Sequence, residues 1–170
     1  MRHSTIKKLT VTAILTSMVI IMSSFSIPVP GGHMYLNDII IVTAGILLGP
    51  AYAAFAGGFG AFMGDFIFYP LPMFVSLVVH GLQALVISLF SRKRKCWLSV
   101  TGVVIGCIIT IVGYTLGRAY IYSTPANALL KLPYQILQNI AGSAAGILLS
   151  WPCGIVKTYD KLINGDSYTY

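Results

Sequence analysis

The residues able to do chemistry in this chain are few, and most lie inside apolar runs. Ser76, His80 and Gln83 recur at i, i+4 and i+7, which is one face of a helix. Gln135, Gln138, Asn139 and Ser143 share a second face, and Thr110, Tyr114 and Arg118 a third. Asp65 stands near the end of another apolar run. These groups are hydrogen-bond donors and acceptors with little fixed charge, suited to holding a small polar molecule. Catalysis has no such support. There is no His-Glu-x-x-His, no Gly-x-Ser-x-Gly, no Walker A sequence and no pair of buried carboxylates, so no catalytic residue is assigned and the chain does not read as an enzyme. His33, Asp65 and His80 come from separate segments without local metal-site spacing, and Cys96, Cys107 and Cys153 have neither metal nor redox spacing. Neither a metal nor a cofactor is expected.

The elements that must position these residues follow from composition. The chain has 170 residues, 56% hydrophobic and only 9% Asp, Glu, Lys or Arg. A soluble domain carries about 25% charged residues. So few charges cannot cover a water-facing surface, which excludes a soluble enzyme, a nucleic-acid-binding domain and a disordered tail. The net charge of +7 sits between apolar runs, as membrane-orienting charge does. Residues 9–27, 36–48, 51–69, 73–90, 98–122 and 133–156 read as helices, separated by Pro28 and Pro30, Gly49-Pro50, Pro70 and Pro72, Arg92 to Lys95, and Pro125. The second is only about 20 Å long at 1.5 Å per residue. Fusing it with the third would put Arg92 to Lys95 outside. With six spans and an inside N-terminus, Arg2, Lys7, Lys8, Arg92, Lys93, Arg94, Lys95, Lys157 and Lys161 lie inside, nine of the eleven basic residues. The expected fold is therefore an all-α membrane protein, a compact six-helix bundle in one domain with both termini cytoplasmic. Gly60/Gly64, Gly102/Gly106, Gly113/Gly117 and Gly142/Gly146 provide four small-xxx-small pairs for close helix contact.

That topology gathers Asp65, Ser76, His80, Tyr114, Gln135, Gln138 and Asn139 in the outer half, with Gln83 nearest the middle. The loop 28–38 adds His33, Tyr35, Asn37 and Asp38, and its Pro-Gly-Gly content allows hinging. The inner halves of the helices are nearly all apolar. An outward polar pocket over an apolar floor reads as a capture site that needs a partner for release. Alternatives stay open. Each polar residue can serve only an interhelical hydrogen bond. Arg118 and Lys131 can be snorkelling anchors, and Tyr35, Tyr69, Tyr120 and Tyr122 interface-belt aromatics. A self-sufficient channel or carrier is a further reading.

The sequence Gly32-His33-Met34-Tyr35-Leu36-Asn37-Asp38, followed by Ala44 to Pro50, the Gly-rich run Gly57 to Gly64 and Leu132-Pro133-Tyr134-Gln135-Ile136-Leu137-Gln138, resembles the S components of energy-coupling factor (ECF) vitamin transporters across nearly the whole chain. The resemblance implies a high-affinity capture subunit in a bacterial cell membrane, a transmembrane coupling (T) protein and two ABC-type ATPases as partners, and no nucleic acid. The ligand is then a small water-soluble vitamin or precursor. It also implies a small-residue contact with the T protein in the first helix, matched here by Ala13 and Ser17 in place of Ala-x-x-x-Ala; the competing reading packs both inside the bundle. Within the family the chain is most similar to the hydroxymethylpyrimidine and pyridoxine type, although members of that type often carry Lys and Glu near the positions of His80 and Gln83. The donors and acceptors with flanking aromatics suit a flat, neutral heteroaromatic alcohol. Pantothenate, through Arg118 or Lys131, and riboflavin are the alternatives.

Overall fold

The structure is a computed structural model and describes residues 2–164, with side chains over 4–163. Its elements in chain order are α1 (Arg2–Ser23), β1 (Ser26–Val29), β2 (Gly32–Tyr35), α2 (Asp38–Leu47), α3 (Pro50–Phe68), α4 (Met73–Ser91), α5 (Cys96–Gly117), a π-helical turn (Arg118–Tyr122), α6 (Pro125–Ser150) and α7 (Ile155–Asn164). The short α2 is the axis of the body. Nine of its ten residues are buried, and α1, α3, α4 and α6 lie against it.

The break at Gly49-Pro50 occurs where expected. Gly49 is extended and Pro50 opens α3, where its missing N–H costs nothing. Two helices differ from expectation at both ends, the first of them already starting at Arg2. The run 9–27 leaves the helix at Ser23, because residues 26–29 pair instead with 32–35 in an antiparallel hairpin. Pro30 and Gly31 make its two-residue turn, with Gly31 at φ +80° as a Pro-Gly turn requires. The helix expected over 133–156 is displaced toward the N-terminus. It starts at Thr124-Pro125, where the Thr124 hydroxyl caps the Asn127 amide at 3.3 Å, and it carries Pro133 in its interior. It ends at Ser150. Gly154, at φ +77°, then turns the chain into α7, bent 54° from α6.

Among the described residues, four helices are long and apolar enough to cross a membrane: Ser4–Ser23, Pro50–Phe68, Met73–Ser91 and Cys96–Tyr122. The bent pair α6 and α7 is a fifth candidate. Six full spans do not follow, since ten residues of α2 rise only about 15 Å against a ~30 Å core. Protein, not lipid, encloses that half-span. The termini assigned to the cytoplasm, Met1 and residues 165–170, lie outside the described residues. Outward-facing positions remain apolar, including an aromatic ladder of Phe55, Phe59, Phe62 and Phe66 along α3.

All four glycine pairs sit at helix crossings: α3 on α1, α5 on α4 twice, and α6 on α2. Gly142 matters most for the site. A Cβ there would lie 2.6 Å from the Asp38 Cβ, so the first turn of α2 rests directly on the α6 backbone. Gly142→Val is therefore expected to cost about 1–3 kcal/mol by overpacking. It should also displace Asp38. An unchanged thermal unfolding midpoint would show that α2 and α6 part easily.

Candidate ligand-binding site

The hairpin end of the bundle holds one connected polar cluster. It begins at Asp38, fully buried in the first turn of α2. Its Oδ2 accepts from Gln138 Nε2 at 2.9 Å, and its Oδ1 lies 3.5 Å from Gln83 Nε2 and 3.8 Å from His80 Nδ1. His80 Nδ1 and Gln83 Oε1 are 2.7 Å apart, one turn along α4. Gln138 also accepts the Tyr35 amide through Oε1 at 3.2 Å, which ties β2 to α6. A buried carboxylate is costly unless hydrogen-bonded, and here two neighbouring helices, α4 and α6, supply its partners.

A second carboxylate anchors the other side. Asp65, at the end of α3, accepts a hydrogen bond from the Ser76 hydroxyl, which in turn meets Tyr114 Oη at 2.5 Å. The Tyr114 and His80 rings lie 5.3 Å apart, joining the two halves of the cluster. Asp38 and Asp65 are thus both buried, against the expectation that no two carboxylates would be. Each has its own partners and neither contacts the other in the hydrogen-bond network.

The hairpin forms the roof, and two cations hold it down by its backbone. Lys131 Nζ donates to the His33 carbonyl at 2.6 Å, and Arg118 Nη1 to the Gly31 carbonyl at 3.2 Å. Both side chains are buried, Lys131 to 1% exposure, so neither is the snorkelling anchor the sequence allowed. Beneath the roof, the His33 ring meets Tyr69 at 5.4 Å and Tyr35 at 6.3 Å. Burial first, and then the nearby Asp65 charge, push the Tyr35 phenol above its ordinary range, so it remains a hydrogen-bond donor at any physiological pH.

Eight of the ten residues expected in the pocket line one cavity: His33 and Tyr35 from the roof, Asn37 from the N-cap of α2, Asp65 from α3, His80 from α4, Tyr114 from α5, and Gln135 and Gln138 from α6. Gln83 and Asn139 stand behind it. Gln83 supports His80, and Asn139 Nδ2 donates to the Gln135 carbonyl one turn back in α6 at 2.9 Å. The cavity is only about 20 Å³, room for roughly one water. A ring-sized guest therefore requires the roof to lift. His33 Nδ1 and Asn37 Oδ1 are buried and have no hydrogen-bond partner among the described residues. Sequence reasoning had noticed Asp38, Ser76, Arg118 and Lys131 without assigning them to the pocket. The signal for Lys131 was its place six residues inside a helix that begins at Thr124-Pro125.

Ala13 and Ser17 are both exposed, on the face of α1 opposite Thr12, Leu15, Thr16 and Val19, which are buried. They do not pack inside the bundle. The Ser17 hydroxyl turns back to the Ala13 carbonyl at 3.0 Å, leaving a smooth strip.

A family model described as ECF-type riboflavin transporter, S component, matches residues 3–154. The chain is 32% identical over 155 residues to the thiamine precursor transporter HmpT of Lactococcus lactis subsp. cremoris (strain MG1363), covering 88% of this chain and 89% of that protein. It is also 32% identical over 123 residues to a protein of Pyrococcus woesei known only by its position in a gap 3' region, covering 71% and 82% of the two chains. A UPF0397 protein of Streptococcus agalactiae is 26% identical over 165 residues, with 88% and 91% covered.

Proposed function

This chain belongs to the ECF-type transporter S-component family, and from that premise we propose that it captures the thiamine precursor hydroxymethylpyrimidine beneath the 26–35 hairpin. In this reading the hairpin end faces outward, and the end carrying Arg92 to Lys95 faces the cytoplasm of a bacterial cell. A T protein and two ABC-type ATPases supply the work of release. Six helices then cross or enter the bilayer, α2 as a protein-enclosed half-span.

The carrying observation is the pair of unsatisfied buried atoms, His33 Nδ1 and Asn37 Oδ1, on the wall of a cavity that also presents the Asp65 carboxylate. A leftover donor or acceptor in a dry site costs about 1–3 kcal/mol, which a ligand recovers by pairing with it. An aminopyrimidine alcohol offers complementary groups. Its exocyclic amine donates to Asp65 or Asn37, its ring nitrogens accept from His33 or Tyr35, and its flat face lies against His33 and Tyr69. A carboxylate ligand such as pantothenate suits the site less well. Arg118 and Lys131 already serve the hairpin carbonyls, and Asp65 would repel it. A channel is disfavoured as well, because fully buried Ile41, Ala44, Ala84 and Ile87 separate this cluster from the far end of the bundle along α2 and α4.

The test is thermal unfolding of the purified protein with hydroxymethylpyrimidine, pyridoxine, thiamine, riboflavin and pantothenate. At a hundred-fold excess over Kd the stabilisation is about 2.7 kcal/mol, a rise of roughly 5–10 °C for a chain of this size. Hydroxymethylpyrimidine should give the largest rise. A larger rise with riboflavin would reassign the ligand. No rise with any of them, together with flux through the protein reconstituted without ATPases, would overturn the capture reading.

A further inference from the structure

A cavity of about 260 Å³, larger than the one beneath the hairpin, lies at the opposite end and plays no part in the capture site. We propose that it binds the phosphate group of an anionic phospholipid headgroup or of a soluble phosphate ester.

Its walls come from elements distant in sequence. Lys8 enters from α1, Gly49 and Pro50 from the α2–α3 junction, Ser91, Arg92 and Arg94 from the end of α4, and Asp160 from α7. Three cations thus face one acid. Arg94 is already engaged, donating to the carbonyls of Ile46 at 2.7 Å and Leu47 at 3.0 Å and pairing with Asp160 at 2.9 Å. That arrangement satisfies the C-terminal carbonyls of α2 and cancels the Asp160 charge. Ser88 does the same for the Leu48 carbonyl, at 2.6 Å. The charges of Lys8 and Arg92 are left over: neither side chain has a hydrogen bond or ion pair among the described residues.

Two further observations point to an anion. The cavity edge carries the N-terminus of α3, whose N-cap Gly49 offers no side-chain acceptor to the first-turn amides. Ser91 is 1% exposed, lines the cavity, and its Oγ has no hydrogen-bond partner among the described residues. A tetrahedral phosphate accepts from an ammonium, a guanidinium, a hydroxyl and backbone amides together, which no carboxylate or halide matches in number of contacts. The volume exceeds that of phosphate alone and admits the ester group attached to it. Exposed apolar side chains adjoin two of the lining residues in the sequence, Leu9 next to Lys8 and Leu89 next to Ser88, as at the edge of a bilayer.

The experiment titrates the purified full-length chain, in neutral detergent, with short-chain phosphatidylglycerol, phosphatidylcholine of equal chain length, and inorganic phosphate, reading bound mass by native mass spectrometry. Phosphatidylglycerol is expected to bind at least tenfold more tightly than phosphatidylcholine. The double variant Lys8→Gln/Arg92→Gln should lose that preference, and Ser91→Val should weaken it several-fold, with circular dichroism melting as the folding control. Should the double variant fail to fold, Ser91→Val decides. Displacement of phosphatidylglycerol by millimolar phosphate would support the site with a soluble ester as its source, whereas resistance to displacement supports the lipid. Equal binding of both lipids by the wild type, or equal phosphatidylglycerol binding by the wild type and the folded variants, overturns the proposal.

Discussion

Asp65→Ala lowers affinity for hydroxymethylpyrimidine by at least about tenfold, the loss of one or two hydrogen bonds to a charged group at about 1.5–3 kcal/mol each. The fold should survive the change. Ser76 and Tyr114, whose hydroxyls lie 2.5 Å apart, keep each other as hydrogen-bond partners without the carboxylate. Removing a buried charge also relieves its desolvation cost, so the ligand-free protein should melt at the same temperature or higher. Function and stability therefore move in opposite directions. Asp65→Asn, which keeps one acceptor oxygen and the same shape, should fall between wild type and alanine. Isothermal titration of the three proteins checks this. Wild-type affinity in Asp65→Ala would mean that the ligand does not touch this wall.

Ala13→Trp abolishes uptake, by at least about tenfold, and leaves ligand binding intact. The indole would stand on the exposed strip of α1 and hold off any helix seeking close backbone approach to Ala13 and Ser17. The buried face of the same helix, Thr12, Leu15, Thr16 and Val19, is untouched, so the capture site does not feel the change. Cells expressing the complete transporter, assayed for labelled precursor uptake, provide one readout, and binding by the purified variant the other. Normal uptake would place the partner surface elsewhere. Lost binding would mean that α1 has moved within the bundle.

Much of the body was legible because its physical causes are local. Apolar runs between prolines mark helices, and Gly49-Pro50 divides α2 from α3 by backbone sterics alone. The glycine pairs forecast crossings that all occur. The face shared by Ser76, His80 and Gln83 needed only the helical repeat. The hairpin was not legible, because its strands lack the alternation that marks a buried sheet, and Pro-Gly-Gly reads equally well as loop. The start of α6 was missed because Pro125 and the polar residues after it read as a separator, when Thr124-Pro125 is an N-cap followed by a first-turn proline.

The sequence by itself determined that this is a helical membrane protein whose polar groups collect toward one end, since charge content and periodicity are properties of the chain. Only the tertiary structure decided what the buried charges do. Lys131 and Arg118 look like surface anchors until the hairpin folds over them and presents its carbonyls, and Asp38 looks like a loop residue until Gly142 lets α6 close upon it. The same holds at the far end, where Arg94 meets the end of α2 and Asp160 while Lys8 and Arg92 are left facing a cavity. Burial and pairing depend on which segments meet, and segments some hundred residues apart carry no mark of that meeting.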